Sequence, residues 1–188
     1  DGGLLNEPVE LTELQLTPAE RAEIVVDFSK IKENEDVSLI MDDGTVLLPF
    51  KINDKENEVK DEIQEPLNPV TISDEEMQKP VSKEIVLFGM GHHVSINGKK
   101  FDMNRIDFTQ KKGETEIWEI YNKPDMMGGM IHPFHIHGTQ FKVISINGEE
   151  PPENLQGYKD TIDLNPGDKA KIAVKFEEEG VYMYHCHI

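Results

Sequence analysis

Cysteine is nearly absent from this chain: Cys186 is the single thiol in 188 residues. One thiol excludes an internal disulfide, so cysteine usage does not report a redox compartment. Positive charge is also scarce, with 19 Lys and Arg against 37 Asp and Glu and a formal net charge of −18. A phosphate backbone would be repelled by such a chain, so no nucleic-acid partner is expected. Cations, metal ions included, are favoured by the same field. No run approaches the roughly eighteen consecutive apolar residues of a membrane helix, so no membrane span is expected. The sequence as given does not open on a basic, apolar segment of secretory type, an absence that means little in a chain beginning with Asp1.

Against that background the histidines stand out by their placement. Five of the seven lie in two short blocks, His132-Pro133-Phe134-His135-Ile136-His137-Gly138 and His185-Cys186-His187-Ile188. Both blocks read as strand, where successive side chains point to opposite faces. His135 and His137 then share one face, while His132, three residues before His135, points to the other. In the second block His185 and His187 share a face and Cys186 takes the opposite one. Laid side by side, two such strands would build a His132–Cys186 pair on one side and a cluster of His135, His137, His185 and His187 on the other.

The ligand chemistry narrows the metal. Thiolate with imidazole is the donor set of blue-copper electron-transfer sites, and an all-imidazole set suits copper, zinc, iron or nickel. An isolated buried His is usually a satisfied core residue, and a lone Cys usually behaves as a small hydrophobe. Six ligand-type residues of matching parity are not isolated. Zinc also takes His and Cys, but a Cys between two His on one strand cannot join both in one tetrahedral site. His92 and His93 read as a solvated turn. Met126, Met127 and Met130 precede His132; thioethers suit cuprous copper, though a flexible loop with Met as gap-filler is the favoured reading.

HPFHIHG followed by YHCHI, with DGGLL, INGKKFDMNRID, GETEIWEIYN, KDTIDLNPGD and GVYMYHCHI around them, resembles the carboxy-terminal part of bacterial three-domain multicopper oxidases of laccase, bilirubin oxidase or cuprous oxidase type. The resemblance implies that His132 and Cys186 bind a blue copper. It also implies that His135, His137, His185 and His187 bind a trinuclear copper cluster. Cys186, with His185 and His187, would carry electrons between the two sites. The resemblance further implies that a second His and an axial Met of the blue site lie beyond residue 188, and that half of the cluster's imidazoles belong to an amino-terminal domain outside this chain.

Along the chain, Arg21 to Phe28 alternates like a strand, Val37 to Met41 is a second strand closed by Asp42-Asp43-Gly44, and Leu47 to Ile52 a third. Residues 1–52 are thus expected to be the last strands of an incomplete middle domain. Residues 53–83 carry a charge run and Pro66, Pro69 and Pro80, and read as a connector. A short helical turn is expected at Ser73 to Gln78, with Ser73 as cap and Glu76 three residues on. Residues 84–188 are expected to form the copper-binding domain. Strands are predicted at Glu84–Phe88, Val94–Ile96, Glu114–Tyr121, the histidine motif, Gln140–Asn147, Lys169–Phe176 and from Gly180 onward, and Glu149 to Asp160 reads as loop. Many short strands with Asn-Gly turns at 97–98 and 147–148 argue an all-β sandwich, and the resemblance makes it a cupredoxin-like Greek key, with a partial second sandwich on its amino-terminal side.

The expected function is part of a multicopper oxidase. It would oxidise phenolic or reduced-metal substrates one electron at a time and pass the electrons to dioxygen, together with the missing amino-terminal domains of the same protein. The alternative is a non-catalytic cupredoxin-type module for copper storage, delivery or scaffolding.

Overall fold

The computed structural model describes residues 3–32, 35–52 and 72–187. The chain divides into two compact units, one of residues 23–64 and one of residues 1–22 with 65–188. Residues 53–71 of the expected connector lie outside the described residues.

The smaller unit holds an antiparallel hairpin of β1 (Asp36–Ile40) and β2 (Val46–Lys51). Its turn is the one the sequence marks. Gly44 takes φ +84°, open to glycine at little cost, and Asp43 Oδ1 accepts the Thr45 N–H at 2.8 Å. The rings of Phe28 and Phe50 lie 5.0 Å apart. The strand expected over Arg21 to Phe28 is not there: among the described residues none precedes Asp36. Alternation makes a strand only where a neighbour pairs with the backbone and one face is buried. Here Ile24, Val25 and Val26 are all exposed, so the apolar alternation covers no core.

In the larger unit a single turn of helix, α1 (Asp74–Met77), precedes the strands. It carries the expected capping box: Glu76 N–H donates to Ser73 Oγ, and the Glu76 carboxylate accepts the Ser73 N–H. The strands are β3 (Val81–Phe88), β4 (Ser95–Ile96), β5 (Thr115–Asn122), β6 (His132–Ile136), β7 (Phe141–Ile146), β8 (Tyr158–Lys159), β9 (Thr161–Leu164), β10 (Lys169–Lys175) and β11 (Tyr184–Cys186). They form a six-stranded sheet in the order β4-β3-β5-β10-β7-β8 and a three-stranded sheet in the order β11-β6-β9. Among the described residues only the β3–β5 pairing is parallel, and the chain between those strands makes the crossover such a pairing needs. Asn97-Gly98 and Asn147-Gly148 all take positive φ, from 52° to 84°, as tight hairpin turns require.

The core lies between the two sheets. Ile85, Leu87, Trp118, Ile120, Phe141, Ile172 and Val174 come from the larger sheet, and Phe134, Ile136, Ile162 and Leu164 from the smaller. Along β6 this puts His132, Phe134 and Ile136 on the inward face, which is the parity that sends His135 outward. The chain is therefore all-β, a cupredoxin-like sandwich. The stretch read as loop before Thr161 contains β8 and a 3-10 turn at Glu153–Leu155, and β9 follows it. No helix among the described residues is long and apolar enough to cross a membrane.

Candidate metal centre

β6 and β11 run antiparallel with His185 opposite His135, Cys186 opposite Phe134 and Tyr184 opposite Ile136. The pairing extends past the strand ends, since His137 N–H donates to Met183 O at 2.8 Å and His187 N–H to Pro133 O at 3.0 Å. This register brings the two histidine blocks together on both faces of the sheet.

On the inward face His132, 1% exposed, sets Nδ1 3.2 Å from Cys186 Sγ. Its Nε2 lies 3.1 Å from Gly89 O. A carbonyl can only accept, so Nε2 carries the proton and Nδ1 turns its lone pair toward the sulfur. Burial holds the His132 imidazole below its ordinary pKa, against a smaller opposing effect of the Gly89 hydrogen bond, so it is neutral at neutral pH. A groove of about 910 Å³, lined in part by Phe108, Trp118, Tyr184 and Cys186, runs beside this pair.

On the outward face the other four rings cluster. Centroids of His135 and His137 are 4.7 Å apart, those of His185 and His187 4.6 Å, and those of His135 and His187 5.0 Å. One ring nitrogen from each of His135, His185 and His187 lies within 4.8 Å of the others. The tautomers can be read as before. His135 Nδ1 faces Asp160 O and Thr161 Oγ1, both at 2.9 Å, and His185 Nδ1 faces Cys186 O at 3.1 Å. Both Nδ1 atoms are donors, which leaves each Nε2 with its lone pair as the possible ligand atom. His185 Nε2 in turn meets His137 Nε2 at 3.0 Å, two basic nitrogens sharing one proton where a cation could take its place. Desolvation, reinforced by the neighbouring imidazoles, lowers the pKa of part-buried His137 and of the more exposed His187, which favours the neutral ring, the form that binds metal.

The structure thus gathers all six sequence-predicted residues into two groups, His132 with Cys186 and His135 with His137, His185 and His187. His93 lies exposed in a 3-10 turn, Gly91–His93, and Met126 and Met127 face solvent. Three supporting residues escaped the sequence reading. Gly89 anchors His132, while Asp160 and Thr161 anchor His135. The signal for the last two was in KDTIDL, where a carboxylate and a hydroxyl begin a strand next to the histidine strand. Gly89 takes φ +106°, and a Cβ on it would stand only 2.3 Å from His93 O, so no side chain fits there.

A buried imidazole aimed at a lone thiol, and oriented imidazoles with free nitrogens converging on one point, fit copper as the bound metal. The class of protein that this fold and these donors define is a cupredoxin-like protein with a histidine and cysteine donor set suited to copper. The family model described as "Multicopper oxidase" matches residues 73–188, and the chain belongs to that family, whose cofactor is copper. It is 53% identical to the multicopper oxidase mco of Staphylococcus epidermidis over all 188 of its residues, which span 38% of that relative's length. It is 33% identical to a laccase of Haloferax volcanii, over 95% of this chain and 33% of the laccase. Among solved structures, the multi-copper oxidase of Pediococcus acidilactici superposes with a TM-score of 0.72 at 44% identity, covering 86% of this chain and 34% of that one.

Proposed function

We propose that this chain forms part of a laccase-like multicopper oxidase that takes electrons singly from a phenolic or reduced-metal substrate and delivers them to dioxygen. His132 and Cys186 hold the electron-accepting copper, and His135, His137, His185 and His187 supply part of the oxygen-reducing cluster. The observation that carries this reading is the double use of β11: Cys186 faces His132 on one side of the strand, and its sequence neighbours His185 and His187 face the cluster on the other. When bound, copper supplies the one-electron oxidation at the first site and the four-electron reduction of dioxygen to water at the second. The chain's own residues provide the rest. The Cys186 backbone makes a short covalent link between the two donor groups. Gly89 fixes the His132 tautomer, and Asp160 with Thr161 fixes that of His135. Tyr184, whose phenol burial pushes up to about 12, stays neutral and packs against Phe108 and Trp118 next to the thiol.

The test is Cys186→Ser in the complete protein. The hydroxyl is a harder donor than the thiolate and removes the copper–sulfur charge transfer. The variant is expected to lose its blue absorption and its substrate-driven oxygen uptake while keeping the parent's circular dichroism. Oxygen uptake equal to the parent's would take Cys186 out of the electron path and refute the assignment.

A further inference from the structure

Residues 15–21 lie against the strand that supports His135, and one of their side chains reaches the groups that orient this ring. Arg21 Nη1 and Nη2 donate to Asp160 Oδ1 at 2.9 Å and Oδ2 at 2.6 Å, a fork-to-fork pair with its geometry fully specified. Asp160 Oδ1 also accepts the Thr161 hydroxyl at 2.8 Å. That hydroxyl oxygen and the Asp160 carbonyl are the two acceptors for His135 Nδ1–H, with Asp160 Oδ1 itself 3.5 Å from the same nitrogen. Thr161 is fully buried and the Asp160 side chain is 15% exposed, while Arg21 itself is half exposed, so the network is shielded from water at its His135 end. Burial works to raise the Asp160 carboxyl, but Arg21 and Thr161 outweigh it and keep it ionised.

The segment is docked independently of Arg21. Glu20 Oε1 pairs with Lys159 Nζ at 3.1 Å with both side chains nearly buried, Glu20 Oε2 accepts from Thr17 N and Oγ1, and Gln15 Nε2 donates to Asp163. Arg21 is therefore not needed as an anchor for its own segment. Nη1 also bonds the nearby Ala19 O at 2.6 Å, and both arms of the fork reach the Asp160 carboxylate, which sits beside the ligand-type His135. Lysine could supply the charge but not the fork.

We infer that Arg21 is a positioning residue for the histidine cluster: through Asp160 and Thr161 it fixes the ring of His135, so a segment remote in sequence from the histidine blocks sets how tightly the cluster holds metal. This rests on the reading of His135, His137, His185 and His187 as copper ligands. Neighbours that orient a ligating His typically change metal affinity by about 10–100-fold when removed.

The experiment uses the complete copper-loaded protein. Four variants are compared with the parent: Arg21→Gln, Arg21→Lys, Asp160→Asn and the double variant Arg21→Gln/Asp160→Asn. The rate of copper loss to a chelator is followed, together with the electron paramagnetic resonance of the cluster copper and the blue absorption of the Cys186 site. Arg21→Gln is expected to speed copper loss from the cluster about tenfold and to shift the cluster's resonance signal while leaving the blue absorption unchanged. Arg21→Lys should recover part of that loss, and the double variant should be no worse than Asp160→Asn. Glu20→Gln serves as the control for stability alone: it weakens the pairing with Lys159 but keeps the Arg21–Asp160 fork, so it is expected to lower the melting temperature while the rate of copper loss and the cluster signal stay at the parent's. Arg21→Gln indistinguishable from the parent, or losing copper from both sites equally, overturns the inference alone. If His135→Ala leaves the parent's copper stoichiometry and cluster signal unchanged, the ligand reading itself fails and takes the inference with it.

Discussion

Gly89 shows how much one residue without a side chain can decide. It takes φ +106°, and a Cβ there would meet the His93 carbonyl at 2.3 Å, while its own carbonyl accepts from His132 Nε2. Gly89→Ala must shift the backbone on both counts. The expected cost is about 1–3 kcal/mol for a left-handed backbone and the clash together, read as a lower melting temperature. Because the displaced carbonyl is the one that sets the His132 tautomer, the blue absorption per protein should fall as well. On the proposed reading the cluster copper lies on the other face of β6, so it should stay at the parent level. A variant that melts lower but keeps its full colour would show that Gly89 serves the fold and not the His132–Cys186 site.

Short elements are decided by end groups and partners more than by their own propensity. The helix α1 is too short to stand alone, yet it was legible because Ser73 and Glu76 occupy the two positions of a capping box. Glu76 also accepts the hydroxyl of buried Thr115 at 2.7 Å, and the backbone bond from Ser73 followed by this one lowers its pKa to about 2. A depressed carboxyl contributes stability that is present above its unfolded value, near 4.5, and is lost as the pH falls toward about 2. Glu76→Gln is therefore expected to lower stability at pH 7 by roughly 1 kcal/mol, the carboxylate being partly in solvent. It should also flatten the dependence of stability on pH between those two values. Equal denaturant midpoints for parent and variant at pH 7 would argue that the box forms without stabilising the sheet behind it. The histidine strands were legible for a similar reason: parity along β6 and β11 is a local property, so the division of six side chains into two faces could be counted. Partnership is not local. Arg21 to Phe28 alternates as well as any strand but finds no neighbour, whereas Thr161–Leu164 is strand only because β6 lies beside it. Gly89, Asp160, Thr161 and Arg21 were missed on the same ground, since each acts on a histidine through contacts that only the folded chain creates.

The chain as a whole brings six ligand-type residues to two sites and spans 38% of the length of its staphylococcal relative. On the proposed reading, the rest of the protein supplies the remaining ligands of both sites. Metal affinity and geometry depend on ligand number and on closure of the site. Expressed alone, residues 1–188 are therefore expected to bind some copper but to sustain no reduction of dioxygen to water. The hairpin of β1 and β2 adds to this, because a two-stranded ribbon is marginal by itself. Leu39, Ile40, Val46, Leu47 and Leu48 are each about half exposed, between 44% and 58%, so the fragment should also self-associate through its open strand edges. The measurement is oxygen consumption by the copper-reconstituted fragment with a phenolic donor, then with ferrous or cuprous ion, run beside the complete protein at equal copper. Light scattering on the same samples reports the association. Steady oxygen uptake by the fragment, continuing past the electrons stored in its bound copper, would mean that these six residues complete the catalytic sites, and the division of ligands between this chain and the rest of the protein would have to be abandoned.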